Sequence, residues 1–200
     1  MAPKVVLLFS GKRKSGKDFL TDNLRKILGD RCEVLKISEP IKSHWAKEKN
    51  LNLNELLSNS DYKEQHRLDM IIWSEEMRAT DYGYFCRIAC QNGNFHIYST
   101  SLHMNRLCKP TIWIVSDVRR RTDIRWFKET YKHTIRTIRI HADDDTRISR
   151  GYKFKQGVDD AASECDLDEY TGWDLIINNG DGKNSLEEQL GSILRMLSQL

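Results

Sequence analysis

Long apolar runs are scarce in this 200-residue sequence. None approaches the length needed to cross a bilayer, and the first stretch, Met1 to Phe9, is too short an apolar run for a secretory leader, so no membrane partner is expected. The five cysteines include no C-x-x-C, which argues against a disulfide framework or a zinc knuckle and points to a reducing compartment, the cytosol being the expected one. The closing Ser198-Gln199-Leu200 faintly resembles a peroxisomal S-K-L signal but lacks its basic middle residue, and reads first as an ordinary helix end. Charge of one sign is not in large excess either. A formal +3 is too little to imply a nucleic-acid partner. There is no internal repeat, low-complexity tract or linker, so the chain is expected to form one domain.

What is present is local clustering. Cations gather at Lys12-Arg13-Lys14, Lys17, Arg119-Arg120-Arg121 and Arg147/Arg150, with acids at Asp143 to Asp145 and Asp159-Asp160. That distribution suits a focused site for a small polyanion. Val5 to Phe9 is a continuous β-prone run, the pattern of a strand buried on both faces, and glycine ends it at once. Beyond the glycine, Phe19, Leu20, Leu24, Ile27 and Leu28 recur at helical spacing before Gly29, a candidate C-cap.

Further strands are expected at Val34 to Ile37, Thr111 to Val115, Thr134 to Ile140 and Trp173 to Ile177. Helices are expected to begin at Pro40 and to run from Leu53 to Arg78, from Thr122 to Tyr131 and from Leu186 to Leu197, and 91 to 109 is expected to be a solvent loop with local helix. Strands alternating with helices predict an α/β architecture with a parallel sheet covered on both faces.

Gly11-Lys12-Arg13-Lys14-Ser15-Gly16-Lys17-Asp18 matches G-x-x-x-x-G-K and then departs from the usual Ser or Thr. Glycines let the backbone curl until successive N–H groups face phosphate oxygens, and the following helix adds its positive end. Lys17 would reach the β- and γ-phosphates. Asp18 is a candidate Mg²⁺ contact, direct or through water, or an acid that stabilises the helix dipole. Asp117, at the end of a buried strand, is a second candidate for Mg²⁺ through water, or a helix cap.

Arg119 and Arg120 beside it suit an acceptor phosphate or carboxylate, although either could be a structural ion pair. Arg147 and Arg150 flank a glycine-containing segment, part of a candidate lid over about 147–164, that could bring cations to the moving group. Asn178-Asn179-Gly180 could read a base or an acceptor, or be a simple turn. Lys42, Lys63, Arg67, Arg78 and Arg87 lie on the intervening helices, each a solvated residue or part of an acidic acceptor's site.

The cradle with its unusual Asp18 resembles that of the animal-type phosphomevalonate kinase family. So do Tyr62-Lys63-Glu64, Asp69-Met70-Ile71, Ser116 to Arg120, Gly157 to Ala161, Ser163-Glu164-Cys165 and Leu186 to Leu190, and the resemblance covers nearly the whole chain. It implies a nucleoside-monophosphate-kinase-like fold with a small lid. The implied reaction is phosphorylation of 5-phosphomevalonate by ATP with Mg²⁺, carried out by a monomer. It implies further that Lys12, Arg13, Lys14, Ser15, Gly16, Lys17 and Asp18 cradle ATP, that Arg150 is a lid cation, and that Gly180 and Gln189 lie near the nucleotide. Asn179 becomes a substrate contact, Arg119 and Arg120 the central basic pair, and Lys42 and Arg78 further substrate contacts.

The sequence departs from the family in a longer stretch at 91–106 and in Ser185, where a basic nucleotide contact is expected. Two rivals remain: a nucleoside monophosphate kinase on the same fold, and a nucleotide-binding module without catalysis.

Overall fold

The computed structural model describes residues 2–58, 61–99, 111–180 and 184–200, with side chains from 92 to 99 left out of the description. The chain opens with β1 (Val5–Ser10), whose residues from Val6 to Phe9 are fully buried. Val6 and Leu8 join the apolar cluster on one face of the sheet, and Leu7 and Phe9 the cluster on the other. Two-faced burial is why the run is continuous rather than alternating, and each such side chain contributes about 1.5–3 kcal/mol of transfer free energy.

The glycine loop leads into α1 (Lys17–Leu28), which ends at Gly29, at a positive φ of 56° that glycine tolerates, with its N–H on the Arg25 carbonyl. Leu20, Leu24 and Leu28 are buried, whereas Phe19 and Ile27, expected on the same stripe, face outward. Then come β2 (Cys32–Leu35) and α2 (Ser38–Lys49), so that Ile37 precedes the helix instead of closing the strand.

The expected long helix from Leu53 to Arg78 is three: α3 (Leu53–Leu57), α4 (Asp61–Gln65) and α5 (Arg67–Thr80). Local side-chain bonding sets the breaks. Asn52 starts α3 by accepting the N–H groups of Asn54 and Glu55, and the Ser58 hydroxyl donates to the Glu55 carbonyl where α3 stops. The bend at His66 (φ −94°, ψ −1°) then redirects the chain into α5.

Helix α6 (Tyr84–Ser99) corrects the loop expected at 91 to 109 at least as far as residue 99; the rest of that loop lies outside the described residues. The remaining elements are β3 (Ile112–Val115), α7 (Arg121–Tyr131), β4 (Ile135–His141), α8 (Asp144–Ser149), α9 (Ala162–Cys165), β5 (Leu175–Asn178) and α10 (Leu186–Ser198).

All strand pairs are parallel, in the order β2-β3-β1-β4-β5. Helices α1 and α10 cover one face through Leu20, Leu24, Leu190 and Ile193; α6 and α7 cover the other through Phe85, Cys86, Ile124 and Phe127. The predicted three-layer α/β fold is present. A smaller cluster of Trp45, Ala46, Leu56 and Met70 binds α2, α3 and α5 into a separate shelf. That shelf faces the carboxyl ends of β1 and β3, where the strand order reverses and open α/β sheets place their ligands.

Candidate active site

Two glycines shape the loop after β1. A Cβ on Gly11 would lie 2.8 Å from the Ile140 carbonyl oxygen, and one on Gly16, at φ 86°, would lie 2.1 Å from Asn179 Nδ2. Lys14 is also left-handed (φ 63°), so the chain turns back on itself in front of α1, as a phosphate-binding backbone does. The Lys17 ammonium is nearly buried and reaches across the crevice, donating to the Ser116 carbonyl at 2.5 Å and to Asp18 at 2.5 Å. The Asp18 side chain is 83% exposed, yet the crevice walls close to it strip away part of the bulk solvent, which works against its carboxylate. Lys17, by charge and hydrogen bond, together with Lys36 and Arg119, outweighs that loss and holds the carboxyl below the ordinary aspartate value.

Of the other loop cations, Lys14 is exposed, whereas Lys12 and Arg13 are tied to fixed partners. Lys12 pairs with Asp168 at 2.7 Å, and Arg13 with Asp159 at 3.1 Å. Arg147 is buried, bonding the Arg13 carbonyl at 2.9 Å and Asp144 at 2.7 Å, with its guanidinium 3.9 Å from the Tyr152 ring centroid. Arg150 donates to the Asn179 carbonyl at 2.9 Å and to that of Ser15 at 3.4 Å, so the expected lid cation stands at the cradle's edge.

Beside the loop opens a cleft of ≈ 390 Å³ between the sheet edge and the helical shelf. Six cations line it: Lys17, Lys36, Lys42, Lys63, Arg67 and Arg119. Ile41, Met70 and Ile71 add apolar wall. Burial, and then the neighbouring Lys63, lowers the Lys42 ammonium pKa; burial, and then Arg67, lowers that of Lys63. Two acidic side chains in the cleft are already engaged. Glu164 pairs with Arg119, and the two oxygens of Asp117 accept the N–H groups of Ile37 at 2.7 Å and Ser38 at 2.9 Å, so this aspartate anchors the start of α2.

Several expected contacts sit elsewhere. Arg78 does not line the cleft: its guanidinium donates to the buried Asp123 at 2.5 Å. The other oxygen of Asp123 accepts the N–H groups of Arg119 and Arg120 at 3.2 and 3.1 Å, so Arg78 braces the turn that presents Arg119. Arg120 is likewise turned inward, almost fully buried and paired with Glu75. Of the adjacent arginines, Arg119 alone lines the cleft.

Asn179, expected as a substrate contact, does not line the cleft and lies against the cradle. Its amide nitrogen donates to the Ser15 carbonyl at 2.8 Å and its oxygen accepts from Gln189 at 3.1 Å. Gln189, expected near the nucleotide, is buried on α10 and meets the cradle through Asn179, and neither it nor Gly180, which follows β5, lines the cleft. Ser185, where a base is expected, is the N-cap of α10, accepting from the Glu188 N–H at 3.2 Å while Glu188 accepts from the Ser185 N–H at 2.9 Å. Lys36 and Glu164 were missed. Only the strand-end position of the first and the partner of the second draw them to the site.

A family model described as phosphomevalonate kinase matches residues 9–133. The chain is also 46% identical, over 178 residues covering 88% of each chain, to the phosphomevalonate kinase of Drosophila melanogaster. The chain belongs to the phosphomevalonate kinase family. It is therefore an enzyme, a kinase, and the rival reading as a non-catalytic binding module is set aside. Among solved structures, the crystal structure of TT1252 from Thermus thermophilus superposes with a TM-score of 0.54 at 14% identity, covering 98% of this chain and 99% of that one, a likeness of fold. Among the described residues no helix is long and apolar enough to cross a membrane.

Proposed function

We propose that the basic cleft takes 5-phosphomevalonate and that the chain transfers the γ-phosphoryl group of ATP to it, giving 5-diphosphomevalonate and ADP on the mevalonate route to isoprenoids and sterols. The observation that carries this reading is the ring of six cations around an apolar-walled cleft beside the cradle. An acceptor with a phosphate at one end, a carboxylate at the other and a branched carbon chain between asks for that combination.

The acceptor phosphate is already an anionic nucleophile, so no general base is required and catalysis is alignment and charge neutralisation. One acceptor oxygen attacks the γ-phosphorus as the bond to the β,γ-bridging oxygen breaks, and the electron pair leaves on ADP. Lys17 would neutralise charge on the β- and γ-oxygens, with Arg150 adding charge from the lid side. Arg119, Lys42 and Lys63 would hold the acceptor in line, while Arg120, Arg78 and Asn179 act by positioning the turns that carry them.

Mg²⁺ fits the residues present. Asp18 offers an exposed carboxylate beside Lys17, and each Asp117 oxygen, having accepted one N–H, keeps a lone pair for a metal-bound water. Among the described residues no cluster of three or more His, Cys, Asp or Glu side chains could hold a metal by itself, which suits a cation held largely by a triphosphate. When bound, it would supply charge neutralisation on the bridging and terminal phosphate oxygens.

Cys32, Cys86, Cys90 and Cys165 are present as thiols rather than disulfides, in keeping with the cytosol. Mg²⁺-dependent ADP release should be measured with 5-phosphomevalonate and with a panel of nucleoside monophosphates. Turnover on phosphomevalonate alone is expected; turnover on a nucleotide would keep the cradle and discard the acceptor.

A further inference from the structure

The segment between α8 and α9 is tied to the cradle by an ion pair between a buried aspartate and a partly exposed arginine, which the reaction as described does not use. The Asp159 side chain is 3% exposed, and both its oxygens accept from Arg13 Nη1 at 3.1 Å. Oδ2 also accepts the Lys155 N–H at 2.8 Å, which closes a turn within the segment. The Asp159 carbonyl accepts from Cys165 Sγ at 3.3 Å, linking the turn to α9.

This segment also touches the acceptor side. Lys155 Nζ donates to the Glu64 carbonyl at 3.3 Å, Gly157 packs against Leu68, and Glu164 of α9 holds Arg119. Asp159 is thus the point at which cradle, covering segment and acceptor shelf are joined.

A partly buried carboxylate–guanidinium pair adds little net stability, because desolvation offsets most of the attraction; its consequence is a fixed geometry. A guanidinium has five N–H donors, and among the described residues Nε and Nη2 of Arg13 make no hydrogen bond. Those donors remain for phosphate oxygens while Nη1 is held.

We propose that Asp159 is a positioning residue for phosphoryl transfer: it aims Arg13 at the nucleotide phosphates and fixes the covering segment over them, so that the acceptor, not water, takes the γ-phosphoryl group. In both reactions the bond from γ-phosphorus to the bridging oxygen breaks and ADP leaves; they differ in whether the new bond is to an acceptor oxygen or to water. The proposal rests on the reading of Lys12 to Asp18 as the nucleotide cradle.

The test uses the full chain with ATP, Mg²⁺ and 5-phosphomevalonate, comparing Asp159→Asn and Asp159→Glu with the parent. Three quantities are read: ADP released per acceptor phosphorylated, KM for each substrate, and Tm. Asp159→Asn is expected to lower kcat for transfer about tenfold, to raise KM for ATP several-fold, and to lift the ADP-to-product ratio from about one to about two or more. KM for the acceptor should change less than about twofold. Asp159→Glu, which keeps the charge, should be intermediate in both kcat and ratio.

An Asp159→Asn protein with unchanged kcat, KM and ratio overturns the proposal. So does a fall in kcat with the ratio still at about one and no recovery in the Glu variant, which would mark a purely structural role. Should the Asn variant not fold, the ratio in Asp159→Glu decides, and a value of about one there also overturns it. Arg13→Met separates the two readings. If it leaves KM for ATP unchanged the cradle assignment falls, whereas a raised KM with an unaffected Asp159→Asn removes the positioning role alone.

Discussion

The two halves of the site handle positive charge in opposite ways. On the cradle side nearly every cation has a protein partner at hydrogen-bonding distance: Lys12 on Asp168, Arg13 on Asp159, Arg147 on Asp144 and Arg150 on two carbonyls. On the shelf side Lys36, Lys42 and Lys63 crowd one cleft, and the ammonium pKa values of Lys42 and Lys63 are lowered by burial first and then by their cationic neighbours. The cradle is thus geometry set in advance, while the shelf crowds lysines around Arg67 and Arg119, which already have acidic partners in Glu64 and Glu164, a concentration of like charge that an anionic acceptor relieves. Substitution should therefore cost chemistry on the first side and acceptor affinity on the second.

The largest effect is expected at Lys17, which belongs to both halves. Lys17→Met should lower kcat by roughly three orders of magnitude, since one preorganised charge on the transferring group is worth several kcal/mol, with far-UV circular dichroism unchanged. Near-normal turnover in a folded variant would break the comparison at its centre.

Next come the shelf lysines. Lys42→Met and Lys63→Met should each raise KM for phosphomevalonate about tenfold while moving KM for ATP less than about twofold, the mark of lost ground-state binding on one side only. Equal shifts in both KM values would show that the halves are not separate.

Their lowered pKa values sharpen the same point through pH. A lysine with a lowered pKa loses its proton at lower pH than an ordinary one, so kcat/KM for the acceptor should fall on the alkaline side before kcat/KM for ATP does. The acceptor's negative charge favours the ammonium form, so binding on that limb should take up protons, measurable by calorimetry in buffers of differing ionisation enthalpy. The stability sign is opposite to that of a salt-bridged lysine: the buried charge weighs against folding below the lowered pKa, and the penalty fades as pH rises through it. Proton release on acceptor binding would contradict the charge-field account.

How much of this could be read from sequence follows the same division. The cradle was legible because its signal is local: an unbroken apolar strand, two glycines at fixed spacing and an amphipathic helix lie within 28 residues. The shelf was not, because apolar periodicity runs through Ser58 and His66 without showing that local hydrogen bonds divide one helix into three. Nor can sequence say which cation finds an acid. Arg78 and Arg120 are spent on Asp123 and Glu75, each 45 residues away, whereas Arg119 lines the cleft although its own partner, Glu164, is equally distant. Asn179 could be placed at its strand end from sequence, but only the folded sheet shows Ser15 and Gln189 on either side of its amide.

The smallest expected effect tests the far edge of the cradle, where the family resemblance leads one to expect a basic nucleotide contact and the chain has Ser185. Its hydroxyl caps α10 and Glu188 returns the bond, so the position answers to helix termination. Ser185→Ala removes one half of that box and should cost about 1 kcal/mol, a fall in Tm of about 2–4 °C for a chain of this size. Helix α10 also carries Gln189, which donates to Asn179, so fraying of its first turn would reach the cradle only through that amide. KM for ATP is accordingly expected to stay within about twofold of the parent, as it would not if position 185 touched the nucleotide. Ser185→Lys completes the argument: a large drop in KM for ATP would show that the nucleotide lies within reach of this helix end, whereas lost stability with unaltered KM would leave the helix terminus as its whole role.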